Sequence, residues 1–141
     1  MPVYQEKAKK NYEAAARLIA LGEGCNMYIP SAHMAYYSVF LIIKYALAKS
    51  NTLSYVQQDQ IAGGSTSHTA IFGSFINEVR NIAPSDANDL MVKYNILKML
   101  RQKADYKTDK SELTYIHMQK NVERAKNYYN NVASLYKINP L

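Results

Sequence analysis

The stretch that decides the fold is Ile29-Pro-Ser-Ala-His-Met-Ala-Tyr-Tyr-Ser-Val-Phe-Leu-Ile-Ile-Lys-Tyr-Ala-Leu-Ala-Lys49. It is the most apolar part of the chain. Pro30 and Ser31 indicate a helix start, because proline fits the first turn and serine can cap free N–H groups. On a helical wheel the apolar side chains of this stretch fall on two sides, and a helix that is apolar on two sides is buried on two sides. The stretch therefore predicts the central helix of a bundle.

The two apolar sides of this helix are separated by narrow polar seams. The first side consists of Ala32, Ala35, Tyr36, Val39, Ile43, Ala46 and Leu47, and the second of Met34, Tyr37, Leu41, Tyr45 and Ala48. The seams consist of Ser31, Ser38 and Lys49, and of His33 and Lys44. Because Lys44 interrupts the apolar run, the stretch does not meet the need of a membrane span for roughly 20 largely uncharged residues. We therefore expect no membrane association.

The composition predicts a single globular domain that covers residues 1–141. Hydrophobic residues make up 48% of the chain, which is typical of a folded protein. The formal net charge of +6 is consistent with a polyanionic partner. The single Cys25 excludes an intrachain disulfide and a cysteine-based zinc site. Because the N-terminus is charged from Glu6 to Lys10 and lacks the apolar segment of a signal peptide, we expect a cytoplasmic protein.

The rest of the chain repeats the helical period. Apolar residues at spacings of three and four predict helices over 3–21, 68–82, 85–106 and 111–137, with a short helical turn over 54–62. Gly22 is expected to end the first helix, Ser67 to cap the helix from His68, and Asp109 with Glu112 to form a capping box before the last helix. No segment has the pattern of a strand. The sequence thus predicts an all-α, up-and-down bundle of four to five helices.

Arg101 is the most informative residue for function. It falls in register with the apolar stripe of its helix. A guanidinium keeps its charge in a protein, so a partly buried one needs an anionic partner. Asp105, one turn later, can supply that partner in a structural ion pair. The functional alternative is an arginine that binds phosphate, and the spacing leaves both interpretations open.

A basic run surrounds Arg101. It consists of Lys93, Lys98, Arg101, Lys103, Lys107 and Lys110, with Tyr94 and Tyr106 among them. Basic groups beside aromatic rings suit single-stranded RNA, because the cations neutralise phosphates and the rings stack on bases. The candidate nucleic-acid contacts are Lys98, Lys103, Lys107 and Tyr94. The structural alternative is a solvated charged surface.

The three histidines are scattered along the chain at His33, His68 and His117. No pair has the spacing of metal ligands, so we predict neither a metal site nor a cofactor. His68 is expected just after the cap of its helix, where the positive end of the dipole favours a neutral imidazole and attracts anions. The alternatives are a surface or capping role for His68, and a packed, hydrogen-bonded role for His33. Cys25 has no basic neighbour that would activate it as a nucleophile.

Three segments together resemble the HEPN domain. They are Ser31-x-x-x-Ala35-Tyr36-Tyr37-Ser38-x-Phe40, Ser67-His68 with Phe75 after it, and Leu100-Arg101-x-x-Ala104-Asp105-Tyr106. The resemblance covers most of the chain and is to the small stand-alone bacterial and archaeal members. It implies a HEPN-like helical bundle that forms a homodimer and works in a toxin–antitoxin or defence system, often beside a minimal nucleotidyltransferase. Active members are metal-independent ribonucleases, in which an arginine is followed four to six residues later by a histidine.

This chain departs from that signature, because Tyr106 stands where the histidine is expected. A tyrosine hydroxyl, with a pKa of about 10, is a poor general base at neutral pH. The resemblance therefore implies a module that binds a nucleic acid, a nucleotide or a partner protein. The alternative is an active ribonuclease that cleaves single-stranded RNA with Arg101, Asp105, Tyr106 and His68 at its site. We expect the dimer interface near the helices over 85–106 and 111–137, and Tyr106 is the first candidate acceptor for a nucleotidyltransferase.

Overall fold

A computed structural model describes residues 3–22, 27–61, 65–106 and 113–141, without the side chains of residues 65, 66 and 106. All regular structure within these ranges is helical, as predicted. The helices are α1 (Val3–Ala20), α2 (Tyr28–Lys49), α3 (Tyr55–Gln60), α4 (Ser65–Ile82), α5 (Pro84–Tyr106) and α6 (Tyr115–Tyr136). Five of them are long, and α3 is a short helix of 6 residues. In this part of the chain no helix is long and apolar enough to cross a membrane.

The central position predicted for the second helix is confirmed, since α2 packs against every other helix of the described chain. The first apolar side is fully buried, while the second is half-buried against the same core. Burying one side chain such as Ile43 contributes about 1.5–3 kcal/mol. The two-sided burial of α2 therefore organises the bundle and fixes where Tyr36 and Tyr37 lie.

Ser31 and Ser38 correct the prediction that the polar residues of α2 lie on seams. Both are buried, and α2 begins at Tyr28, so Ser31 is not its cap. The Ser31 hydroxyl donates a hydrogen bond to the backbone carbonyl of Ala15 in α1, at 3.1 Å. The Ser38 hydroxyl donates to the carbonyl of Ala35 at 2.7 Å. Small hydroxyls can be buried when a carbonyl accepts their hydrogen, and here one of them joins α1 to α2.

The start of α4 differs from the predicted position. The helix begins at Ser65, so Ser67 lies inside its first turn and does not cap it. Residues 65–67 read Ser-Thr-Ser, and each of these residue types suits a helix start, so the sequence could not single one out. His68 nevertheless remains within the first turn of α4.

The start of α6 also differs from its prediction. Leu113 and Thr114 are not helical, and α6 begins at Tyr115 rather than at Ser111. The Thr114 side chain caps the helix by accepting a hydrogen bond from the backbone N–H of His117, at 3.3 Å. The capping box predicted from Asp109 and Glu112, like Cys25, lies outside the described residues.

Other boundaries lie within one or two residues of their predicted positions. Gly22 follows α1 with a φ of +96°, a conformation that glycine adopts without strain. Ser54 and Gln57 form a capping box at the start of α3. Pro84 begins α5, where its missing N–H has no helical partner to lose. Beyond these boundaries, α4 and α5 lie side by side, and both pack against α2.

Candidate functional site

Arg101 belongs to α5, and its side chain, which is 16% exposed, lies against α2. Its Nε is 3.3 Å from Oδ2 of Asp105, so the ion pair considered from the spacing is present. The guanidinium carbon is 5.3 Å from the ring centroid of Tyr36 and 5.5 Å from that of Tyr37. Aromatic faces attract a cation at these distances. The arginine is thus oriented by one carboxylate and two rings.

Asp105 has a second partner on the central helix. The same Oδ2 atom lies 3.2 Å from Nδ1 of His33, whose side chain is 37% exposed. This hydrogen bond agrees with the packed, hydrogen-bonded role predicted for His33. Asp105 therefore links α5 to α2 through His33 even where Arg101 is engaged with another anion.

His68 approaches the same site from α4. Its Nδ1 atom is 2.9 Å from the hydroxyl oxygen of Tyr36, and its ring stacks on Phe40 with centroids 4.0 Å apart. Burial lowers the pKa of His68, and the positive charges of Arg101, Lys44 and Lys98 lower it further. The first turn of α4 therefore comes close enough to Arg101 for the two groups to interact, and His68 is held neutral.

Tyr94 supports this arrangement from inside the core. Its hydroxyl is 2.8 Å from that of Tyr36, and its ring stacks on Phe72 with centroids 3.7 Å apart. Burial raises the pKa of Tyr94 and of Tyr36, so both hydroxyls stay protonated. Because Tyr94 is only 1% exposed, its ring is not available to stack on a nucleic-acid base, in contrast to the role expected from the basic run.

The direction of these hydrogen bonds decides what His68 offers to a ligand. If the Tyr94 hydroxyl donates to Tyr36, the Tyr36 hydroxyl is left to donate to Nδ1 of His68. Nδ1 is then an acceptor, and the neutral ring carries its proton on Nε2. Either hydroxyl can donate in the Tyr36–Tyr94 bond, so the distances fit both directions. In the opposite direction Nδ1 donates to Tyr36, and Nε2 becomes an acceptor.

Of the remaining candidate residues predicted from the sequence, some lie near His68 and others do not or fall outside the described residues. Lys98 is half-buried and acts electrostatically on His68, whereas Lys103 lies further along α5. Tyr106 is the last residue of α5, and its side chain falls outside the described residues, as does the whole of Lys107. The structure therefore brings together Arg101, Asp105 and His68, with Lys98 beside them.

Sequence reasoning missed the part that Tyr36, Tyr37 and Lys44 play in this site. The two tyrosines form the surface on which Arg101 lies, and Tyr36 also holds His68. Lys44 lies on the same side of α2 as Phe40, with its Nζ 5.9 Å from that ring centroid. The available signal was the tyrosine pair of the HEPN-like segment and the single lysine inside an apolar run. We refer to Arg101, Asp105, His33, His68, Tyr36 and Tyr37 as the Arg101 cluster.

The charges around the Arg101 cluster favour anion binding. Three cations, Arg101, Lys44 and Lys98, act on His68, while Asp105 is the carboxylate paired with Arg101. Within the described ranges, no group of three or more His, Cys, Asp or Glu side chains could hold a metal ion. The groups present can neutralise a phosphate and donate hydrogen bonds to it.

Comparison with known proteins gives no relative from which a role could be transferred. No protein-family model, no curated protein and no solved structure matches the chain. The case for function therefore depends on the geometry and charge of the chain's own residues.

Proposed function

We propose that this chain is a HEPN-like domain of a cytoplasmic toxin–antitoxin or defence system that binds single-stranded RNA at the Arg101 cluster. The observation that supports the proposal is the position of Arg101, which Asp105 orients over Tyr36 and Tyr37 beside the neutral His68. A guanidinium held in this way can form paired hydrogen bonds with phosphate oxygens.

Two further features support an RNA ligand. With Nδ1 of His68 accepting from Tyr36, its Nε2–H is a donor that suits a phosphate oxygen. Lys98 and Lys44 add positive charge around the same imidazole. A positively charged surface of this kind binds the phosphate backbone of single-stranded nucleic acid. A homodimer and a minimal nucleotidyltransferase partner belong to the same proposal, with Tyr106 as the acceptor of any modification.

Fluorescence anisotropy of a labelled single-stranded RNA of about 12 nucleotides tests the binding, since sites of this kind cover about 4–16 nucleotides. We expect Arg101→Gln to weaken binding about tenfold and to reduce the dependence of log K on log salt by about one unit. The matched control is Lys10→Gln, which removes the same charge from α1, where the Lys10 side chain is 70% exposed. Equal losses in the two variants would show that only net charge matters.

The dimer and the modification have their own tests. Sedimentation velocity should show a species of twice the monomer mass that persists on dilution, and a monomer at high concentration would contradict the homodimer. Intact-mass analysis after incubation with ATP and the partner enzyme should show an added nucleotide that Tyr106→Phe removes.

A metal-independent ribonuclease is the second candidate, and the approach of His68 to Arg101 favours it. In such an enzyme the RNA 2′-hydroxyl attacks the adjacent phosphorus, a base takes its proton, and the 5′-oxygen leaves. His68 can act as that base only when its proton is on Nδ1. Cleavage of a mixed RNA pool in EDTA, lost in both Arg101→Ala and His68→Gln, would establish the enzyme. If the RNA stayed intact while the wild type and both variants were folded, the chain would be a binding module and not a ribonuclease.

A further inference from the structure

A groove between α5 and α6 shares no residue with the Arg101 cluster and is not used by the proposed function. It has a volume of about 230 Å³ and is lined by Ile96, Met99 and Leu100 from α5 and by His117, Lys120 and Arg124 from α6. We refer to it as the α5–α6 groove. One wall is therefore apolar and the other carries an imidazole and two cations.

The cationic wall follows from the helical period of α6. His117, Lys120 and Arg124 are separated by three and four residues, which places them in one row along the helix. Arg124 is half-buried, and its Nη1 donates a hydrogen bond to Oδ1 of the buried Asn121 at 3.1 Å. No described carboxylate lies within ion-pair distance of Arg124, whereas Lys10, Lys93, Arg101 and His33 each have one. The groove therefore holds an oriented positive charge without a described anion to balance it.

The apolar wall is longer than the groove itself. Val92, Ile96 and Met99 follow one another at spacings of four and three along α5, and Val92 and Met99 are 53% and 38% exposed. From Val92 to Met99 this stripe extends about 10 Å, given the 1.5 Å rise of each helical residue. Ile116, which precedes His117 on α6, is 62% exposed. Exposed apolar side chains that line up beside a concave surface mark an interaction site.

We propose that the α5–α6 groove binds an acidic amphipathic helix of a partner protein. The apolar stripe would receive the leucine-type side chains of that helix, and Lys120 and Arg124 would pair with its carboxylates. This is the helix-in-groove mode, in which side chains spaced by three and four anchor a helix in an apolar groove. Charge complementarity would set its orientation and exclude basic helices.

Other occupants fit the groove less well. A second copy of the chain in a symmetric contact would bring a second set of the same cations to the interface, and no described carboxylate lines the groove to pair with them. Single-stranded RNA would leave the apolar stripe unused, because none of the described residues lining the groove is a phenylalanine, tyrosine or tryptophan. A small molecule is a poor match, since most ligand sites enclose about 300–1,000 Å³. A homodimer can still form through other faces of α5 and α6.

The test uses the full chain and three labelled synthetic peptides of about 14 residues, long enough for about 21 Å of helix. All three carry leucines at spacings of three and four. The flanking positions are glutamate in the first peptide, glutamine in the second and lysine in the third. Fluorescence anisotropy should give a dissociation constant for the glutamate peptide about a hundredfold below that for the glutamine peptide, as expected for two charge-assisted contacts, with no binding of the lysine peptide.

Variants of the protein locate the binding. Arg124→Gln and Lys120→Gln should each weaken binding of the glutamate peptide about tenfold, the effect of one charge-assisted contact. Lys120 is exposed, so Lys120→Gln keeps the test valid if Arg124→Gln unfolds the chain. Met99→Ser should weaken the binding of the glutamate and glutamine peptides alike. Lys10→Gln and Arg101→Gln should leave the affinity for the peptides unchanged. An unchanged peptide affinity in Arg101→Gln separates this inference from the RNA-binding proposal.

Several outcomes would overturn the inference. They are the absence of glutamate-peptide binding at millimolar concentration, equal affinity for the glutamate and lysine peptides, and an equal loss in Lys10→Gln. RNA affinity that depends on Arg124 while peptide affinity does not would assign the groove to RNA. A dimer that dissociates in Met99→Ser and excludes the peptide would assign it to a second copy of the chain.

Discussion

The hydroxyl of Tyr36 on α2 and Nδ1 of His68 on α4 are 2.9 Å apart, and the same hydroxyl is 2.8 Å from that of Tyr94 on α5. One tyrosine thus joins three helices. Its ring also lies under the guanidinium of Arg101. Because a buried polar group that loses its partner costs about 1–3 kcal/mol, this network holds the imidazole in a fixed position beside the arginine.

The protonation of His68 is the first prediction. Burial and the charges of Arg101, Lys44 and Lys98 hold its pKa below the usual 6.5. Removing a neighbouring cation should raise that pKa, so we expect an NMR titration to give a higher value in Arg101→Gln than in the wild type. Lys98→Gln should produce a smaller rise. Lys10→Gln should change nothing, and an unshifted His68 in Arg101→Gln would contradict the proximity of the two groups.

The same shift has a consequence for stability. Because the pKa of His68 is lower in the folded chain, the unfolded chain takes up the proton first as the pH falls. The stabilisation from the neutral ring is complete above the unfolded pKa of about 6.5 and is lost as the pH falls through the folded value. The difference in free energy of unfolding between wild type and His68→Gln should therefore narrow from about pH 7.5 to about pH 5. Urea titrations at each pH measure this difference in free energy of unfolding. A difference that stayed the same at every pH would show that the ring is freely solvated in the folded chain, against the prediction.

A pair of buried tyrosines provides a matched test of the network. Tyr94→Phe removes the hydroxyl that bonds Tyr36, and we expect a loss of about 1–2 kcal/mol in the free energy of unfolding. Tyr128 is equally buried, but its hydroxyl has no hydrogen-bond partner in the described chain. Tyr128→Phe should be neutral or stabilising, because it removes a buried polar group that forms no bond. Equal losses in the two variants would mean that the Tyr36–Tyr94 bond contributes nothing.

The role of Arg101 can be separated from its ion pair by a double-mutant cycle with Arg101→Gln and Asp105→Asn. The two side chains are 16% and 19% exposed, so their coupling energy should be about 0.5–1 kcal/mol. Arg101→Gln alone should cost no more than about 1–2 kcal/mol, because Asp105 keeps its hydrogen bond to His33. A loss of about 3–5 kcal/mol would instead mark a structural arginine with a stranded partner.

The sequence predicted the helices well where burial follows a simple period. The stripe of α5, including Leu90, Tyr94 and Leu97, is buried as its spacing requires. The same period could have corrected the expectation that Tyr94 stacks on bases, since it places this ring on the inner side of α5. Residues that follow one another in the sequence of the basic run do not all lie on the same face of the helix.

The assembly of the site was beyond the sequence. Arg101 with Asp105 is a local pair at a spacing of four and could be anticipated. The bonds from His33 to Asp105 and from Tyr36 to His68 connect residues 72 and 32 positions apart. Such contacts depend on how α4 and α5 pack on α2, which hydrophobic periodicity does not specify. The choice of cap before α4 was ambiguous for a local reason, because three candidate residues follow one another.

Glu78 on α4 allows stability to be changed without touching the Arg101 cluster. Its carboxylate accepts hydrogen bonds from the hydroxyls of Tyr136 on α6, at 2.5 Å, and Ser50, at 3.1 Å. Thr52 also bonds this carboxylate. Ser50 is 14 residues beyond Tyr36, and a helical rise of 1.5 Å per residue puts about 20 Å between this end of α2 and the cluster.

Glu78→Ala leaves the buried hydroxyl of Tyr136 without its acceptor, so we expect the free energy of unfolding to fall by about 1–3 kcal/mol. Tyr136→Phe should cost less, because Glu78 keeps Ser50 and Thr52. Both variants should bind single-stranded RNA as the wild type does at temperatures where they remain folded, whereas Arg101→Gln should lose affinity while remaining folded. Chemical denaturation beside RNA anisotropy measures the two effects. If Glu78→Ala weakened RNA binding as much as Arg101→Gln, the loss in Arg101→Gln would reflect general destabilisation and not a phosphate contact.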